Sequence, residues 1–225
     1  GNSPLVTTPF NLPIQLNGNT VVADGFIFVT GSANSKVSGI EISGFSDAAI
    51  LCFNTNSVSI TGNYLHNNLN GVSTNNSNQI KIGAQYYNNR NVINNNSNYG
   101  IILPIGNNME IVNNFIGASL SGNLAAGNAG GISINNNTNI KIGGRIDKIE
   151  GNVISGNSTR AIDILGGVNG CSITGNILGL NWQGLFTLGN QNIGVSVNNI
   201  NNNNIIIGGY NPSYANVISG NSTHG

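Results

Sequence analysis

Asn152-Val153-Ile154-Ser155-Gly156-Asn157 returns as Asn216-Val217-Ile218-Ser219-Gly220-Asn221, and a weaker copy opens at Asn91-Val92-Ile93. An Ile-x-Ile-Gly precedes each, at 140–143, 205–208 and 80–83. The period is roughly 60 to 65 residues, long for one supersecondary unit. An interleaved series, Asn63-Tyr64-Leu65, Asn114-Phe115-Ile116 and Asn176-Ile177-Leu178, halves it into coils of three short strands. First strands end at Val37, Ile60, Ile82, Ile111, Ile142, Ile173 and Ile207. Second strands open at Ile40, Asn63, Asn91, Asn114, Asn152, Asn176 and Asn216. Third strands follow a small residue (Gly25, Ala49, Gly71, Gly100, Gly131, Ala161, Gly194) and begin with Phe26, Ile50, Val72, Ile101, Ile132, Ile162 and Val195.

Strands this short, rich in Ile and Val with period-2 alternation, cannot bury an apolar face alone and must stack coil upon coil. Parallel stacking with right-handed crossovers gives an all-β fold, a right-handed parallel β-helix of about seven coils. No window sustains the spacing of an amphipathic helix. The Asn column is a scaffold device: each amide can donate to and accept from its neighbours above and below, and Asn tolerates left-handed backbone.

Composition agrees. Only 6% of residues are charged, Gly supplies 32 and Asn about a fifth, yet 39% are apolar, which leaves material for a core and argues against disorder. Zero net charge offers no footprint for nucleic acid or an anionic membrane surface. No apolar run is long enough to cross a membrane as a helix, so no membrane insertion is expected. Cys52 and Cys171 should be buried core residues, free because they lie about five coils apart, some 24 Å at ~4.8 Å per coil. The chain reads as one domain over 1–225, with an irregular first coil over 1–36 and an end inside a coil, which implies a longer parent protein or end-on pairing.

The stretches at 14–18, 23–28 and 37–45, with the recurring Ile-Gly-Gly and Asn-Val-Ile-Ser-Gly-Asn phrases, resemble the β-helix regions of large bacterial surface proteins, including those carrying a CSLREA domain. The resemblance covers nearly the whole chain and implies a secreted or surface-displayed rod. That group commonly has an Asn-x-Ile-Gly-Thr-Asp-type phrase in the long loop of alternate coils. Here those loops read Gly117-Ala118-Ser119-Leu120 and Gly179-Leu180-Asn181-Trp182; the acidic residue is missing, and with it any cation that loop would hold.

Function should sit in the loops, which alternate between two edges. One row precedes the Asn column, at 83–90, 143–151 and 208–215; the other follows the second strand, at 117–130 and 179–193. The first row carries Tyr86, Tyr87, Tyr210, Tyr214, Arg90 and Arg145, the second Trp182 and Phe186. Aromatics beside polar groups suit sugar rings; alternatively they fold back as lids over the solenoid. Tyr64, Val92, Phe115, Val153, Ile177 and Val217 should point outward as an apolar stripe, covered either by loops or by another protein. Lys81, Glu110 and Lys141 should form an outward charge ladder on adjacent first strands. Asp24, Glu41, Asp47, Glu110 and Asp163 fall in different coils or on different faces, and only Asp147 and Glu150 are local, which is scant material for a catalytic carboxylate pair. His66 and His224 lack partners for a nucleophilic triad or a metal site and read as surface residues. The expected function is an extracellular structural or adhesive rod, binding glycan through loop aromatics or other copies of itself, with no cofactor. The alternative is a polysaccharide-processing lyase, epimerase or glycoside hydrolase.

Overall fold

A computed structural model describes residues 12, 14–19, 23–198 and 201–225. Its strands pair in parallel, coil upon coil, as a right-handed β-helix. The second strands form one sheet of eight, from Ile14–Asn17 through Ile40–Ser43, Tyr64–His66 and Val92–Asn94 to Val217–Ile218. Ile14–Asn17, inside the stretch expected to be irregular, adds a level below Ile40. First and third strands join in the other sheet, because Asn70–Asn78 and Tyr99–Asn107 run on around the corner.

The register follows the sequence rows. Val37, Ile60, Ile82, Ile111, Ile142, Ile173 and Ile207 are successive partners. So are Phe26, Ile50, Val72, Ile101, Ile132, Ile162 and Val195. Except for the half-exposed Ile207, these side chains, with Leu65, Ile93, Ile116, Ile154 and Leu178, make one continuous core. The small residue before the third strand is a steric demand: a Cβ on Gly71 would stand 2.3 Å from Ile93 Cγ2 and 2.5 Å from the Gly100 carbonyl. Cys52 and Cys171 are buried and free, and burial pushes both thiols up to about 12.

The Asn column is a hydrogen-bonded ladder. Asn63, Asn91, Asn114, Asn152 and Asn176 each donate Nδ2 to the Oδ1 above, at 2.9–3.2 Å, ending on Asn216. Each also donates to the carbonyl that ends a first strand, as Asn114 does to Ile82 at 2.8 Å. Left-handed backbone is not what selects these residues: it falls on residues just before them, Gly62, Asn113 and Gly175. A second ladder stands at the next corner. Asn68, Asn96, Asn128, Asn157 and Asn190 donate upward at 2.8–3.2 Å, ending on Asn221.

Candidate functional site

The two loop rows flank one face. Because the first precedes the second strand and the other follows it, both stand beside the outward side of the second-strand sheet and form walls over it. In the first row, short 3-10 turns at Tyr87–Asn89, Ile146–Lys148 and Pro212–Tyr214 occupy equivalent positions. In the second row the two loops share one hairpin: Ser119 N–H donates to Leu124 O as Asn181 N–H does to Phe186 O, both at 2.8 Å. They dock through Trp182 N–H on Gly122 O at 3.0 Å. No acidic residue is needed to close the second hairpin, since Asn181 Oδ1 accepts from the N–H groups of Leu185 and Phe186 at 2.8 and 3.0 Å.

These walls supply the loop cover that was one of the two alternatives for the outward stripe. Val92, Phe115 and Val153 are buried in a second apolar cluster with Ala118, against which Tyr64, Leu120, Ile177 and Trp182 pack. Only Val217 at the far end is substantially exposed. Between the walls lies a cleft of about 390 Å³, lined by Tyr87, Arg90 and Ile146 on one side and Trp182 and Gln183 on the other. Its floor is Phe115, Val153, Ile177 and Val217.

Of the proposed ligand-binding residues, the structure brings Tyr87, Arg90 and Trp182 together. Arg90 lies over Phe115, 3.9 Å from the ring centroid, and 5.3 Å from that of Tyr87. Its Nε and Nη2 donate to Asn113 Oδ1 at 3.2 and 2.9 Å. Burial pushes its pKa down to about 10. Trp182 Nε1 is buried and has no partner among the described residues. The others lie apart. Tyr210 stands fully in solvent, and Tyr214 packs against Gly209. Arg145 is exposed and neutralised by Asp147, its Nη2 2.6 Å from Oδ2. Phe186 is exposed beyond the cleft. Tyr86, exposed and at φ 75°, lines a furrow of about 300 Å³ on the first-strand side with Lys81, Glu110 and Glu150.

That furrow holds a constellation the sequence concealed. Glu110 pairs in register with Lys81 and Lys141, as the charge ladder requires. Glu150 arrives from a first-row loop, and Lys141 Nζ bonds both carboxylates, at 2.9 and 3.3 Å. Their bonded oxygens are therefore at most about 6 Å apart, near the span a glycosidase uses. That chemistry needs one carboxyl kept protonated, and Glu150 is not that group. Burial raises the Glu150 pKa, but the Arg145 N–H, the Gln85 amide and Lys141 outweigh it and leave it lowered.

At the N-terminal end of the second-strand face, His66 is not a surface residue. It stacks on Tyr64 with ring centroids 4.0 Å apart and bonds Glu41 Oε1 through Nε2 at 2.9 Å. Glu41 Oε2 accepts from Gln15 at 2.9 Å. His224 is exposed. Among the described residues no group of three or more His, Cys, Asp or Glu is placed to hold a metal ion, and no helix is long and apolar enough to cross a membrane.

No protein-family model matches the chain, and no curated protein matches it in sequence. Among solved structures it is similar to the A-module of the mannuronan C-5 epimerase AlgE4 of Azotobacter vinelandii, at TM-score 0.54 and 14% identity. The match covers 88% of this chain and 54% of that module, so the chain spans about half of it. At that identity the likeness is one of fold, a parallel β-helix.

Proposed function

We propose that this chain is a glycan-binding β-helix, an extracellular structural or adhesive rod that holds a carbohydrate in the cleft between its loop rows. One observation carries the reading: Tyr87 and Trp182 come from different rows, about 95 residues apart in sequence, yet line one cleft over an apolar floor. Aromatic walls with a few polar groups are the usual make-up of a small-ligand site. A sugar ring presents an apolar face to stack on such walls and hydroxyls for Gln183. The named activity of the structural neighbour, on a polysaccharide, supports a glycan as the ligand class.

That neighbour also favours a second reading, a polysaccharide-processing enzyme. Against it stand the lowered pKa of Glu150 and the bonding of both furrow carboxylates to Lys141. A glycan array read for retention, followed by reducing-end and unsaturated-product assays on whatever is retained, separates the two. Retention lost in Trp182→Ala with no product formed is the expected result. Turnover above trace rates would overturn the non-enzymatic reading, and no retention on any glycan would overturn both.

A further inference from the structure

We propose that Arg90 is a cationic subsite of the cleft, and that the bound glycan carries an anionic substituent, a carboxylate or a sulfate, which Arg90 receives. The inference rests on the glycan reading and adds the charge of the ligand to it. The chain has three arginines. Arg145 is paired with Asp147, and Arg160 with the buried Asp163, Nη1 to Oδ2 at 2.8 Å. Among the described residues Arg90 makes no ion pair and its Nη1 no hydrogen bond, while its Nε and Nη2 are spent on one neutral oxygen, Asn113 Oδ1. A cation drawn out of water without a countercharge is costly, and fastening a loop to Asn113 does not require one. Its packing over Phe115 and near Tyr87 restrains the guanidinium, which limits the entropy lost when an anion is bound through the planar fork.

The other polar side chains of the cleft offer no rival cation: the amides of Asn152 and Asn176, which also line it, are occupied in the corner ladder. A site with one unneutralised cation calls for a negative acceptor. No carboxylate lines this cleft, so nothing in it repels such a ligand. The furrow on the first-strand side differs on this point, since its lysines and glutamates compensate one another.

The test uses matched pairs: oligosaccharides of mannuronate, guluronate, galacturonate and glucuronate against their carboxyl-reduced twins, and sulfated oligosaccharides against desulfated ones. Calorimetric titration of the wild-type chain should give one acidic series binding at least about tenfold tighter than its neutral twin, with a preference that falls as salt rises. The series that shows the gap tells carboxylate from sulfate. In Arg90→Gln the gap should close with affinity for the neutral twin little changed, and Arg90→Lys should restore part of it. Equal binding of acidic and neutral twins by the wild type would overturn the charged subsite and leave the glycan reading standing. A gap that persists in a folded Arg90→Gln would place the anion elsewhere. Binding of no member of any series would overturn the glycan reading and this inference with it. The wild-type gap and its salt dependence decide the matter even where Arg90→Gln fails to fold.

Discussion

Two kinds of side-chain stack run along this rod, the asparagine ladders at its inner corners and the column from Tyr64 to Val217 on its outer face, and they are finished differently. Both exploit the same coil-to-coil spacing, ~4.8 Å between paired strands. In the inner ladders every amide from Asn63 to Asn176 and from Asn68 to Asn190 both donates and accepts. The outer column is capped by loops that leave Arg90 without a countercharge among the described residues. A completed network specifies a fold, whereas an incomplete one beside a cleft has work left for a ligand. The contrast makes distinct predictions for substitutions inside and outside.

The largest effect belongs to the interior. Burial raises the thiols of Cys52 and Cys171 from the ordinary thiol value to about 12. The native state therefore keeps its thiol protons where the unfolded chain loses them. Their contribution is complete below pH ~9 and is lost as pH climbs toward 12, at about 1.4 kcal/mol per pH unit per thiol. Denaturation in urea from pH 8 to 11 should show this fall, and a Cys52→Ala, Cys171→Ala double variant should be less stable at pH 8 yet lose less with each pH unit. An equal pH slope in both chains would mean the thiols are not sealed in the core.

Next come the ladders. Asn114→Leu keeps the branched shape but strands the Val112 carbonyl, takes one of two donors from the Ile82 carbonyl and removes the acceptor of the Asn91 amide. The expected loss is about 3 to 5 kcal/mol, read as a lower urea midpoint. Asn128→Leu should cost as much if the second corner is a true equal of the first. Asn107→Ala, which cuts an exposed amide contact with Asn78, should cost less than about 0.5 kcal/mol. A mild Asn128→Leu would break the symmetry between the two corners.

These comparisons mark what the sequence discloses. The Ile and Val rows were legible because period-2 alternation and a small residue before each third strand recur in every coil, whatever loops intervene. The second ladder was not. Its Asn follows the first-ladder Asn by five residues at 63, 91, 152 and 216, but by fourteen at 114 and 176, where second-row hairpins intervene. The Glu110 and Glu150 pair was hidden because one member comes from a strand and the other from a loop forty residues later. His66 read as a surface residue because its partner, Glu41, lies in the preceding coil. The loop rows were visible from coil length. That they wall the same face, and so bury Val92 and Phe115, depends on how far each loop folds over the sheet, which spacing does not encode.

Trp182→Phe tests the outer column directly. It removes a buried N–H that has no partner while keeping most of the ring, so stability should hold or rise, by up to about 1 kcal/mol. Binding of a retained glycan should nevertheless weaken several-fold if the sugar stacks on the indole, because the phenyl ring offers less face. Weaker binding at unchanged or higher stability would separate a ligand contact from a packing contact. Unchanged binding would reduce Trp182 to a lid over Phe115.

The smallest effect is expected at the furrow, where charges are many but exposed. Lys141 bonds Glu110 and Glu150, and desolvation of the ammonium is outweighed by those two partners, so its pKa is raised. Its side chain and that of Glu110 are each about a third exposed, at 37% and 32%, and water and salt screen pairs of that kind heavily. Lys141→Met should therefore cost no more than about 1 kcal/mol near neutral pH, and less as salt rises. What remains of the interaction is present below the unfolded lysine's pKa, near 10.4, and lost as pH rises through the raised folded value. A loss of 3 kcal/mol or more would mean that the furrow is as tightly integrated as the inner ladders, and the division between a saturated interior and an adjustable exterior would have to be redrawn around Lys141.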